Sequence, residues 1–107
     1  AGAVSYGAMK AALLNYFGNL AQDLAPMGIR VNTVSPGPIF IDGGAWDQIK
    51  AAMPEIYEST VAMIPAGRMG TAEEVCVQVA LLLSPLSAYT SGTNVVIDGG
   101  FTKRIQF

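Results

Sequence analysis

The sequence contains no histidine, one cysteine and little charge. Without histidine, Ser–His–Asp triads, Cys–His dyads and His-ligated zinc are excluded within its 107 residues. Cys76 alone can form neither an internal disulfide nor a CxxC site, so no metal centre is expected. It lies in an apolar helical stretch, where buried packing is the plain expectation. Charged residues make up 13%, against roughly 25% in an average globular domain. The net charge of -2 has scattered signs, whereas a nucleic-acid surface needs clustered Lys and Arg. No basic segment precedes an apolar run at the amino end, so no signal peptide is expected. The apolar stretches are broken by Asn, Asp, Pro or Gly well short of the ~20 residues a membrane span requires. These absences point to a reduced, cytoplasmic protein.

Apolar residues, by contrast, are in excess, at 51% with a mean hydropathy of +0.41. A chain this small buries only about 60–65% of its unfolded surface and needs polar residues to cover the rest. Either part of its surface lies against other protein, or the chain belongs to a larger unit. Ala1 is not a Met, so residues 1–107 are expected to form a single incomplete domain lacking its amino-terminal part.

Residues 5–25 read as one helix, stopped by Pro26, Met27 and Gly28. Between Ala8 and Ala25 its only charges are Lys10 and Asp23, so it has no clear solvent face and should be buried on two sides. Ile29–Ser35 carries β-branched residues in alternation and predicts a strand, ended by Pro36-Gly37-Pro38. After Gly43-Gly44, the apolar stripe Trp46, Ile49, Met53, Ile56, Tyr57, Val61 predicts two short helices, the second begun by Pro54. Thr71 and Glu74 form a capping-box pattern ahead of a helix running to about Ser84. Ser91-Gly92 marks a turn before a second strand, Asn94–Asp98. Two strands joined through a helix are most simply parallel. Two strands alone do not make a free-standing parallel sheet. The fold class is therefore α/β, and the chain reads as one end of such a fold.

Tyr6 and Lys10 lie four apart on one helical face. A free phenol titrates near pH ~10, and a neighbouring ammonium favours the phenolate, as a general acid/base tyrosine needs. Spacing alone also admits a plain aromatic and lysine on a partly exposed helix. The surrounding blocks are more specific. Tyr6-Gly-Ala-Met-Lys10, Gly28-Ile-Arg-Val-Asn32, Ser35-Pro36-Gly37-Pro38-Ile39, Gly67-Arg68-Met69-Gly70 with Glu73-Glu74-Val75, Thr90-Ser91-Gly92, and Val96-Ile97-Asp98-Gly99-Gly100 follow in order. In that order and spacing they resemble the short-chain dehydrogenase/reductase family across nearly the whole chain.

The resemblance implies the carboxy-terminal half of a Rossmann-like, doubly wound parallel sheet that binds NAD or NADP and interconverts a small-molecule alcohol and a carbonyl. It makes Tyr6 the acid/base and Lys10 its partner, and counts both among the cofactor-binding residues, with Lys10 holding the nicotinamide ribose. Pro36, Gly37 and Ile39 would line the nicotinamide pocket, with the Ile39 backbone meeting the carboxamide. A Pro-Gly turn at the carboxyl end of a parallel strand is independently where such sheets bind ligands, although it is also an ordinary strand ending. Three departures stand out. The glycine-rich pyrophosphate turn is absent, and so is the serine expected about a dozen residues before Tyr6, for which Ser5 cannot substitute. Ile41 stands where the family often has Thr.

Plainer roles are expected elsewhere. Arg68 and Glu73 read as structural polar contacts and Asp98 as a strand-end turn former, while Gly43-Gly44 would suit a hinge beneath a substrate flap. The apolar helix predicts a homo-oligomer, most simply a tetramer, that uses some of Leu13, Leu14, Phe17, Leu20 and Leu24. The competing class is a non-catalytic oligomerisation module, a truncated relative that binds no cofactor.

Overall fold

The computed structural model describes residues 2–105. Its elements are α1 (Gly2–Leu24), β1 (Thr33–Pro36), α2 (Ala45–Ala52), α3 (Pro54–Met63), α4 (Ala72–Leu83) and β2 (Asn94–Ile97). The chain divides into two compact units: one comprises the chain up to Val34 with Ala80–Val95, the other Ser35–Val79 with the chain from Val96 on.

In the first unit, α1 is Ala- and Leu-rich and contains no Pro, so nothing interrupts it for 23 residues. It begins earlier than the periodicity predicts, at Gly2. Ala25–Met27 then form one 3-10 turn with Pro at its start, and Gly28 takes φ 74°, donating its N–H to the Ala25 carbonyl at 3.0 Å. Only a residue free of a Cβ adopts that left-handed conformation cheaply, so the helix stop is set by glycine as much as by proline. Leu14, Phe17 and Gly18 line a narrow gap with Val31, Thr33 and Thr93, which identifies the strand-facing side of α1. Ala21 is buried, and a Cβ added at Gly92 would come into van der Waals contact with it. Tyr6, Met9, Leu13 and Tyr16, at three- and four-residue steps, are exposed. Burial of α1 on two sides is therefore not met within this chain.

The strand expected from Ile29 begins only at Thr33. Side chains replace the backbone ladder before it. The Val31 amide donates to Ser91 Oγ at 3.2 Å, Asn32 donates to the Thr90 carbonyl at 3.0 Å, and the Thr93 amide donates to Asn32 Oδ1 at 3.2 Å. The Arg30 guanidinium reaches the carbonyls of Leu82 (2.7 Å), Thr90 (3.1 Å) and Ser84 (3.3 Å), two of them at the end of α4 where helical carbonyls lack partners. β1 pairs with β2 in parallel: Gly92 N–H to Val31, Thr33 N–H to Thr93 and Gly37 N–H to Ile97 advance along both strands in the same direction.

In the second unit, Ile64 and Met69 form the buried apolar core with Thr60 beside them, the hydroxyl of Thr60 bonded to the Ile56 carbonyl. Met53 separates α2 from α3 and Pro54 opens α3, as the sequence predicts. Asp47 accepts the Gly43 N–H at 2.8 Å, fixing the turn into α2 where a hinge was expected. Lys50 Nζ lies 5.5 Å and 5.1 Å from the ring centroids of Phe40 and Tyr57, which pack edge to face.

The capping box of α4 is present in both directions. The Glu74 amide donates to Thr71 Oγ1 at 3.2 Å, and the Thr71 amide donates to Glu74 Oε1 at 3.1 Å. Arg68 grips the same carboxylate through two bonds of 2.7 and 2.9 Å, while Glu73 stays at the surface. The Arg68 pair and the Thr71 amide together hold the Glu74 carboxyl down to about 2. Cys76 is exposed, contrary to expectation, and so are Val77, Leu81 and Leu83. The apolar residues of α4 point to all sides, more than two short strands can cover. No described helix is long and apolar enough to cross a membrane, and no described cluster could hold a metal ion.

Because the folded Glu74 carboxyl sits below its ordinary 4.5, its stabilising effect is complete above that value and fades as pH falls toward about 2. Glu74→Gln should therefore flatten the loss of stability between about pH 5 and about pH 3 relative to wild type. Urea midpoints across that range provide the check, and parallel curves would remove the pair from the acid response.

Candidate functional site

Tyr6 and Lys10 belong to the first unit. Both project from the amino-terminal half of α1, and Lys10 Nζ lies 5.4 Å from the centroid of the Tyr6 ring, within cation–π range. Tyr6 is 65% exposed. The helical spacing brings the pair together as expected.

Pro36, Gly37 and Ile39 belong to the second unit. Pro36 closes β1, and the Gly37 amide donates to the Ile97 carbonyl at 2.8 Å. A Cβ on Gly37 would fall 2.8 Å from Asp98 Cα and closer still to Asp98 Cβ, so glycine is required by the packing of two backbones. Ile39 forms a parallel bridge with Gly70, in which the Gly70 amide donates to the Pro38 carbonyl (3.0 Å) and the Phe40 amide to the Gly70 carbonyl (2.9 Å). The flanking residues make both bonds, so the N–H and C=O of Ile39 itself face away from Gly70. A donor and an acceptor of one residue, turned to the same side, complement a carboxamide, which offers one acceptor and an NH2 donor. On that count the residues fit a nicotinamide group.

The sequence assigned no role to Gly70, yet this residue orients Ile39. It does so through its backbone amide and carbonyl; a Cβ at Gly70 would meet the tip of the Ile39 side chain, Cδ1 at 2.8 Å, which can turn aside. The pairing joins residues 31 positions apart in sequence through an isolated bridge, and no local pattern encodes it. Ile41, at the family's usual Thr position, is 52% exposed and supplies its carbonyl to the Gly44 amide. Arg68 is engaged with Glu74 and the Met69 carbonyl, in agreement with a structural role. Asp98 accepts the Thr102 amide at 2.8 Å and the Gly100 amide at 2.9 Å, in agreement with a turn former. The Thr102 side chain foremost, then the Thr102 and Gly100 amides, hold its carboxyl below the usual carboxylate range.

Residues 1–102 match the family model described as enoyl-(acyl carrier protein) reductase. Isoepoxydon dehydrogenase patN of Aspergillus clavatus is 44% identical over 103 residues, covering 96% of this chain and 40% of the relative. The 3-oxoacyl-[acyl-carrier-protein] reductase FabG of Vibrio cholerae is 39% identical over 100 residues, covering 94% and 39%. Among solved structures, YwfH, an NADPH-dependent reductase involved in bacilysin biosynthesis, superposes with a TM-score of 0.81 at 35% identity, covering 91% of this chain and 39% of that one. The NADPH-bound structure of a short-chain oxidoreductase from Pseudomonas aeruginosa gives a TM-score of 0.83 at 30% identity, covering 95% and 40%. The chain thus spans about 40% of the length of the relatives it matches. With the α/β order, the parallel strand pair and a family model spanning nearly every residue, the chain belongs to the short-chain dehydrogenase/reductase family.

Proposed function

We propose that this chain supplies the proton-transfer pair and the nicotinamide side of an oxidoreductase that interconverts a small-molecule alcohol and a carbonyl with NAD or NADP. The observation that carries the reading is Lys10 held over the Tyr6 ring on an open helical face. In the reduction direction the Tyr6 hydroxyl gives its proton to the substrate oxygen as that oxygen gains charge. In oxidation it takes the proton back. The Lys10 ammonium stabilises the phenolate left behind and offers donors to ribose hydroxyls. Ile39 holds a carboxamide through its backbone, and Pro36-Gly37 form the wall beside it. A bound nicotinamide supplies or accepts the hydride. Relatives named as dehydrogenases and as NADPH-dependent reductases support this reading. A reduced cytoplasmic setting fits the unpaired, exposed Cys76.

In the full-length protein, Tyr6→Phe should lower turnover by ~10²–10⁴ while cofactor affinity stays close to wild type, because only the proton carrier is lost. Turnover within about tenfold of wild type would rule out the assigned role. Lys10→Ala should weaken both, raising the cofactor KM and lowering kcat by about tenfold or more, as loss of charge-assisted bonds implies. A variant impaired in kcat alone would show that Lys10 does not touch the cofactor.

A second reading, an oligomerisation module that binds no cofactor, draws on the uncovered stripe Met9, Leu13 and Tyr16. The same stripe supports a homo-oligomer, most simply a tetramer, under either reading. Leu14 and Phe17 face the strands, so the variant that probes the contact is Leu13→Asp. Leu13 is 46% exposed in the single chain, where a carboxylate costs little; buried unpaired between copies it costs more than a neutral polar group does. Light scattering should find a smaller species for Leu13→Asp at micromolar concentration. A stable, active wild-type monomer would dispose of the contact, and nicotinamide binding by the wild type separates the enzyme from the module.

A further inference from the structure

The tightest backbone contact at any described glycine lies between Gly37 and Asp98. Asp98 immediately follows β2, and its side chain holds two backbone amides. One carboxylate oxygen accepts the Gly100 amide and the other accepts the Thr102 amide, which curls residues 98–102 back on themselves. Within that curl Gly99 takes φ 62° and Gly100 φ 86°, and the Gly99 carbonyl accepts the Ala66 amide at 3.0 Å. A Cβ on Gly99 would meet Ala66 and Ile64, and one on Gly100 would meet Pro65, so the curl lies flat on the segment carrying the buried Ile64. Its other side is Asp98 itself, whose Cα and Cβ fill the space a side chain at 37 would occupy.

We propose that Asp98 is a positioning residue for the nicotinamide side of the site, its two-oxygen grip on the 98–102 curl setting where the Pro36–Ile39 turn stands. The proposal rests on the reading of Gly37 and Ile39 given under Proposed function. Asp98 touches neither substrate nor cofactor and acts through Gly37. Both oxygens must accept, which only the carboxylate allows. An asparagine has the same shape but turns one acceptor into a donor, aimed at an N–H that is also a donor.

The test uses the full-length protein and two readouts. Amide hydrogen exchange in cofactor-free protein should quicken about tenfold at Gly37 and Ala66 in Asp98→Asn, while the Thr33 amide, bonded to the Thr93 carbonyl at 2.9 Å, keeps its wild-type rate. The KM for the nicotinamide cofactor should rise by a similar factor (about tenfold) with kcat within about threefold of wild type, since the Tyr6 proton carrier is unaltered. Asp98→Glu, which keeps the charge but not the reach, should behave as Asp98→Asn does. Unchanged exchange at Gly37 in a folded variant, or faster exchange with an unchanged cofactor KM, would overturn the proposal while leaving the functional reading intact. A wild-type protein that takes up no nicotinamide cofactor would overturn both.

Discussion

The parallel pairing of β1 with β2 sends both chains out of the sheet at the same end. At that end Gly37 N–H still bonds Ile97, after which the two backbones cannot diverge freely because Asp98 fills the place of a Gly37 side chain. Everything proposed for the second unit follows from that crowding. The turn is narrow, Pro38 and Phe40 reach Gly70, and Ile39 has its own N–H and C=O turned away from Gly70. An antiparallel pair would bring a hairpin to this end and close the space where ligands enter parallel sheets.

Polar side chains do work that more strands would otherwise do. Arg30 and Asn32 take up carbonyls and amides at the Thr90–Thr93 turn, and Ser91 meets the Val31 amide. Each stands in for a ladder bond next to a strand that has one partner among the described residues. The apolar balance tells the same story from the other side. Among the described residues only Ala21, Ile64 and Met69 are buried apolar side chains, while Met9, Tyr16, Val77 and Leu83 are open. Such large exposed apolar residues on successive helical turns are what protein–protein contacts are made of.

Helix limits were legible because their signals are local. Pro26 and Gly28 stop α1, Pro54 starts α3, and Thr71 with Glu74 caps α4, each through bonds made within a few residues. The Tyr6–Lys10 approach was legible for the same reason, being a matter of helical pitch. Strand length was not, since β-branched alternation in Ile29–Asn32 says nothing of whether a partner strand stands beside it. The exposure of Cys76 escaped for a related reason: an apolar sequence reports what ought to be covered, not what in this chain covers it. Gly70 and Asp98 act across long sequence separations, on partners that local pattern cannot name.

The two sets of residues given a role, one in each unit, differ in what they demand of the sequence. Tyr6 and Lys10 contribute side-chain chemistry, so their identities are fixed by acidity and charge while their neighbours need only be helical. Ile39 contributes backbone atoms, so its own side chain is chemically free, and the constraint moves to Gly37, Gly70 and Asp98, which hold that backbone in place. A substitution at Ile39 that keeps its bulk should then be milder than a single added methyl at Gly37, where a backbone atom stands in the way. Chemistry delivered by backbone is thus read most clearly in the residues around it. That is also why Ile41 can stand where a threonine is usual without disturbing the turn: its carbonyl, bonded to the Gly44 amide, makes the local contact, and its side chain faces outward.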